Sequence, residues 1–225
     1  MGEIVTYPAN GHESHGYLSA PTSSDGPGVI VLQEWWGLVG HIKAVADRFA
    51  SAGYTALAPD LYHGESAQSP DDAGKLMMAL NIERAAKDLK GACDFLAGRS
   101  SGERFGVVGF CMGGQLALYA ATQDSRIGAC VDFYGIHPNV KPDFSRLKAP
   151  VLGLFAEKDG FVDKAAVEAL DEALGAVGAE RELHTYPGVD HAFFNDERAE
   201  AYDRDAAEDA WSRVTRFFQA HLQDQ

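Results

Sequence analysis

Gly109-Phe110-Cys111-Met112-Gly113-Gly114 has the form of a nucleophile elbow, the G-x-S-x-G turn between a strand and a helix, with cysteine in the place usually held by serine. The glycines answer a steric need. A residue at the tip of such a turn is strained, and a side chain two positions before or after it would strike the adjoining helix or strand. The turn lifts the sulfur above the sheet. A thiol fixed at a helix N-terminus, with a histidine in reach, is a ready covalent nucleophile.

The elements on either side of the turn set the fold class. Phe105–Gly109 reads as a strand and Met112–Thr122 as a helix. Upstream, Glu3–Tyr7 and His15–Ser19 read as strands joined around the turn dipeptide Asn10-Gly11,. Val29-Ile30-Val31-Leu32 is an unbroken β-branched and apolar run, as in a strand buried on both faces,. Apolar residues from Ile42 to Ala50 recur at helical spacing before Gly53,. Thr55–Ala58 is a strand, and Asp71–Leu96 is helical with a break near Leu80-Asn81. Downstream, Arg126–Phe133, Val151–Ala156 and Glu182–Tyr186 are strands and Lys164–Val177 a helix. A final helix presents Ala207, Trp211, Val214, Phe218 and Leu222 on one face,. Strands alternating with helices imply an α/β fold: a mainly parallel twisted sheet with helices on both faces and the initial hairpin as its antiparallel edge. Residues 1–225 read as a single domain,. Only 17 residues separate Phe133 from Val151, too few for a lid domain.

A net charge of −14 disfavours nucleic acid or an anionic membrane as partner,. No apolar run reaches the roughly 18–20 residues that span a bilayer. The N-terminus lacks a signal-peptide pattern, although Met1-Gly2-Glu3-Ile4-Val5-Thr6 fits a loose acylation pattern,. Three cysteines, Cys93, Cys111 and Cys130, make no disulfide framework and suit a reducing cytoplasm,. A monomer or small homo-oligomer is expected.

Ligands of open α/β sheets bind beyond the carboxyl ends of the strands. Cys111, Asp159 and His191 each follow a strand. Cys111 would attack an acyl carbon, His191 would shuttle the proton, and Asp159 would orient the imidazole. Cys93 and Cys130 read as small core hydrophobes. Glu157 competes with Asp159, and Asp190 reads as a turn residue. The N–H groups of Met112 and Trp35 are expected to form the oxyanion hole, with Trp36 as an apolar wall. Glu34, at the end of a buried strand, is costly without a partner. It would disfavour a thiolate beside it, accept the thiol proton, or be satisfied by loop amides.

Gln33-Glu34-Trp35-Trp36-Gly37, Ala58-Pro59-Asp60-Leu61-Tyr62-His63-Gly64, the elbow, Phe133-Tyr134-Gly135, Asp159 and His191-Ala192-Phe193 together resemble the dienelactone hydrolase (carboxymethylenebutenolidase) family. The resemblance runs through nearly the whole chain. It implies an α/β-hydrolase fold with a Cys-His-Asp triad, no lid and no cofactor, acting on small esters or lactones through an acyl-enzyme. It implies that Glu34 holds the resting thiol and helps deprotonate it. Tyr62, His63, Tyr134 and Phe193 are expected near the substrate. The chain departs from the family at the arginines that grip the substrate carboxylate: one aligned position carries Asn195, and the segment after Tyr62 offers Lys75 but no arginine. Arg84, Lys75 and Arg198 are the candidate replacements. A short-chain carboxylesterase or thioesterase without dienelactone activity, or a silent binding domain, is the alternative. A thiol-redox protein lacks a C-x-x-C pair. No metal site is expected: His12-Glu13-Ser14-His15 has no third ligand at useful spacing,. His63 lines the site or caps its loop.

Overall fold

The computed structural model of the chain describes residues 2–9, 11–22 and 26–222. Asn10 of the proposed turn and Met1 of the acylation pattern lie outside them. Eight strands form one sheet: β1 (Glu3–Pro8), β2 (Glu13–Ser19), β3 (Pro27–Leu32), β4 (Thr55–Pro59), β5 (Ser101–Phe110), β6 (Ile127–Phe133), β7 (Val151–Ala156) and β8 (Arg181–Tyr186). Their order is β1-β2-β4-β3-β5-β6-β7-β8. The β1–β2 and β2–β4 pairs are antiparallel and all others parallel. This is the α/β-hydrolase arrangement, with its antiparallel edge at the N-terminus.

Alternation along the central strands sorts side chains to two cores. Val29 and Val31 pack with α1 (Gly40–Ser51) and α6 (Arg204–Leu222) on one face. Ile30 and Leu32 pack on the other with α3 (Ile82–Ala97) and α4 (Met112–Gln123). Both sheet faces are therefore apolar, which is why β3 reads as a continuous hydrophobic run.

The long helical stretch is broken as its sequence suggests. α2 (Pro70–Ala79) ends at Leu80, and Asn81 restarts the chain as α3 by accepting the Arg84 N–H on its side chain at 2.9 Å,. Several strand boundaries differ from the pattern reading, those of β2 and β5 for identifiable reasons. β2 begins at Glu13, because the Ala9 N–H reaches the His12 carbonyl at 2.8 Å and closes a tight turn there. β5 begins at Ser101. Its first four residues are exposed, so they lack the apolar signature that marks the rest of the strand.

Candidate active site

The elbow joins β5 to α4. Cys111 has φ 52°, a left-handed conformation rare for a residue with a side chain,. Neighbouring backbone holds it there: the Cys111 N–H bonds the Phe133 carbonyl at 3.0 Å, and its own carbonyl accepts from Gly114 at 2.9 Å and Ile136 at 3.2 Å. A methyl group on Gly113 would sit 2.5 Å from the carbonyl oxygens of both Leu32 and Gln33. One on Gly109 would overlap the Gly113 carbonyl. Helix α4 thus meets β3 and β5 at backbone contact, and glycine alone fits. The thiols of Cys93 and Cys130 are pushed far up by burial, and they lie in the apolar core.

The structure gathers Cys111, His191 and Asp159 at the carboxyl ends of β5, β7 and β8. Asp159 Oδ2 lies 2.6 Å from His191 Nδ1. Its other oxygen accepts the Phe161 and Val162 N–H groups at 2.7 and 2.9 Å. The carboxylate is fully enclosed, while the imidazole keeps a partly open edge. Burial alone would lower the His191 pKa. The bond to Asp159 and the interaction with the Cys111 sulfur outweigh it and raise the ring to about 10,. Glu157 is excluded from this pairing, since its carboxylate accepts the Gly188 N–H at 2.7 Å. Asp190 is exposed.

Met112 opens α4, where a helix offers no internal acceptor for its N–H,. The Trp35 N–H makes no backbone hydrogen bond among the described residues. Both donors flank the elbow. Trp35 meets Trp36 edge-on at 5.4 Å and Phe161 at 6.2 Å, and the Phe161 ring lies 5.1 Å from that of His191. Phe161 is 58% exposed, an apolar ring standing at the rim of the site. The sequence reading missed it, although it sits two residues after Asp159.

Glu34 is 1% exposed. Loop amides do not satisfy it. One oxygen accepts from Asn195 Nδ2 at 2.6 Å, and the other has no partner among the described residues. The position where the family resemblance looks for an arginine therefore carries an amide turned inward onto Glu34. Tyr134 lies among these groups. Burial pushes its hydroxyl far above the usual range, and the charges of Glu34, Cys111 and Asp159 push the same way.

Of the residues expected near the substrate, Tyr62 places its hydroxyl 3.2 Å from Met112 Sδ. Tyr134 and Phe193 are completely buried, their rings 5.4 Å apart. The Tyr134 ring lies 4.8 Å from that of His191, and neither Tyr134 nor Phe193 presents an open surface. His63 turns to Asp88, at 2.9 Å. Arg198 stacks over Trp36 at 4.8 Å. Lys75 pairs with Asp72 on the surface, and Arg84 lies exposed on α3.

A model of the dienelactone hydrolase family matches residues 14–222. The chain belongs to this family. Within it, the chain is a carboxylic ester hydrolase. It is 39% identical to "Protein usf" of Aquifex pyrophilus, over 99% of this chain and 100% of that protein. It is 34% identical to the "Putative carboxymethylenebutenolidase" of Aquifex aeolicus, with the same coverage. A solved structure titled "Putative Dienelactone Hydrolase", from Klebsiella pneumoniae, superposes with a TM-score of 0.89 at 31% identity, covering 98% of this chain and 99% of the other. No helix among the described residues is long and apolar enough to cross a membrane.

Proposed function

We propose that this dienelactone hydrolase-family protein cleaves small esters or lactones through an acyl-thioenzyme on Cys111. The Cys111 sulfur attacks the acyl carbon, and a C–S bond forms as the carbonyl oxygen takes up charge. The Met112 and Trp35 N–H groups stabilise that oxyanion. His191 gives its Nε2 proton to the leaving alkoxide as the C–O bond breaks; it then takes a proton from water as the water oxygen attacks the thioester carbon, and the C–S bond breaks to release the acid and regenerate the Cys111 sulfur. Asp159 fixes the ring tautomer and balances the imidazolium. Glu34 is the resting partner of the thiol and an acceptor for its proton. The reading rests above all on one observation: Asp159 and His191 form a 2.6 Å pair aimed at a cysteine held at φ 52°.

A substrate without a carboxylate fits best. Asn195 is committed to Glu34, and Arg198, the cation nearest the tryptophans, is already paired with Glu200 and stacked on Trp36. An amide does not replace a charge-assisted guanidinium fork. The test compares p-nitrophenyl acetate with a lactone offered with and without a carboxylate, for wild type and Cys111→Ala. Turnover by wild type alone, an acyl adduct on Cys111 by mass spectrometry, and no gain from the carboxylate are expected. Equal rates in both proteins would end the proposal. A strong preference for the carboxylate would refute its substrate clause.

A further inference from the structure

We propose that His12, His63 and Asp88 form a binding site for a divalent transition-metal ion, separate from the Cys111 site. The three residues come from distant parts of the chain: the β1–β2 turn, the loop after β4, and helix α3. His12 Nε2 lies 2.8 Å from Asp88 Oδ1, and His63 Nε2 lies 2.9 Å from Asp88 Oδ2. All the ligand atoms fall within 4.8 Å of one another. Donors around a tetrahedral zinc ion with bonds of roughly 2.05 Å stand about 3.3 Å apart, so seating one asks the trio to close by no more than about 1.5 Å at its widest separation.

Two further observations point to a cation. Asp88 has a completely buried side chain on α3, with two imidazoles facing its two oxygens. The His63 contact is close, yet neither His63 Nε2 nor Asp88 Oδ2 has a hydrogen-bond partner among the described residues. An ion held by both atoms would satisfy them. The loop is also built to hold His63 in place. His63 has φ 53°, and the Asp60 carboxylate accepts the flanking N–H groups of Tyr62 and Gly64 at 3.1 and 2.7 Å. A strained residue fixed by its neighbours is a mark of a functional position.

Two imidazoles and one carboxylate suit Zn²⁺, Co²⁺ or Fe²⁺ and not Ca²⁺ or Mg²⁺, which favour all-oxygen sets. The histidines are 26% and 21% exposed, so an ion has a path in and a coordination position open to water. Sequence spacing hides the site. The His12–His15 pair suggested by the chain is the wrong one, because His15 contacts Thr6 at 3.3 Å and the true partners of His12 lie far along the sequence. Occupancy would pin the turn and the His63 loop to α3, and that loop also carries Tyr62, whose hydroxyl touches Met112.

The test uses the full chain carrying Cys111→Ala, which removes a competing thiol ligand. Zn²⁺ is titrated by calorimetry and Co²⁺ by visible absorption, with Mg²⁺ as the comparison. One Zn²⁺ per chain is expected, together with a Co²⁺ ligand-field band and no Mg²⁺ binding. His12→Gln and His63→Gln should each weaken Zn²⁺ by more than about 100-fold, beyond the loss typical of a merely supporting residue. Folding of each variant is checked by circular dichroism. Shifts of the His12 and His63 ring resonances on Co²⁺ addition give a reading that needs no substitution at the site. Absence of Zn²⁺ binding, binding indifferent to both histidines, or unshifted ring signals would overturn the proposal and leave the trio as close polar contacts around Asp88.

Discussion

Replacing Asp159 by asparagine tests how the site is powered. The amide oxygen can keep both loop N–H groups, those of Phe161 and Val162, so the loop should hold its shape. What changes is the atom facing His191 Nδ1: a charged acceptor becomes an N–H donor. Two effects follow. The His191 pKa, raised from 6.5 to about 10, loses one of its main supports, and burial then pulls it down. A fall of about 2 units is worth about 2.7 kcal/mol. The donor also forces the proton from Nδ1 to Nε2, the wrong tautomer for accepting a proton from water in the second half-reaction.

Together these should reduce kcat/KM for p-nitrophenyl acetate by roughly 10²–10⁴-fold, with little change in KM. NMR titration of the His191 ring gives the second readout. Because the folded pKa is raised, the ring's contribution to stability is complete below pH 6.5 and disappears as pH rises through about 10 in the wild type,. In the variant that window should shrink towards pH 6.5. An unchanged ring titration together with an unchanged rate would refute the claim that Asp159 sets the state of His191.

Three further outcomes are expected. Asp132 is fully buried, and burial raises its pKa from 3.8 to about 7; the folded state then binds the proton more tightly, so this group lowers stability as pH rises from about 4 to about 7, by up to about 4 kcal/mol. Asp132→Asn should therefore gain on wild type in urea unfolding at pH 8 but not at pH 4, and an equal difference at both would count against it. Asn195→Ala takes from Glu34 its one hydrogen bond among the described residues and should cost about 1.5–3 kcal/mol in the same assay, whereas a loss near zero would mean that water replaces the amide. Gly114→Ala drives a methyl into Asp132 Oδ1 and to 2.7 Å from Gly135 Cα; about 1–3 kcal/mol of destabilisation is expected, and a variant as heat-stable as wild type would show that the elbow can relax.

The features legible in the sequence are those set by local physics. Period-2 and period-3.6 patterns mark the strands and helices because each element packs one or two faces against the sheet. The elbow glycines announce themselves because only a backbone contact demands them. Asp159 and His191 are found by their place after β7 and β8, since an open α/β sheet collects its chemistry at those ends. The exposed start of β5 could not be read this way, because solvent imposes no pattern on it. Nor could the burial of Phe193, whose neighbours Tyr134 and Tyr186 come from just after β6 and from the end of β8.

What escaped local reading is the choice of partner for two buried acids, Glu34 and Asp88. Glu34 and Asn195 are 161 residues apart, and nothing near Glu34 in the chain names the amide that holds it. At the level of sequence, Asn195 is a missing arginine; in three dimensions it faces a buried carboxylate. An arginine side chain turned onto Glu34 would form an ion pair there, whereas the neutral amide of Asn195 leaves one Glu34 oxygen without a partner among the described residues. On the proposed function, Asn195 therefore bears on two properties together: it offers no charged grip for an anionic substrate, and it orients the carboxylate assigned as proton acceptor. Asp88 obeys the same logic, since the histidines at 12 and 63 become its partners only when the β1–β2 turn and the loop after β4 are folded against α3. Glu34 and Asp88 are thus held by groups that only the folded chain brings to them, an amide in one case and a pair of imidazoles in the other.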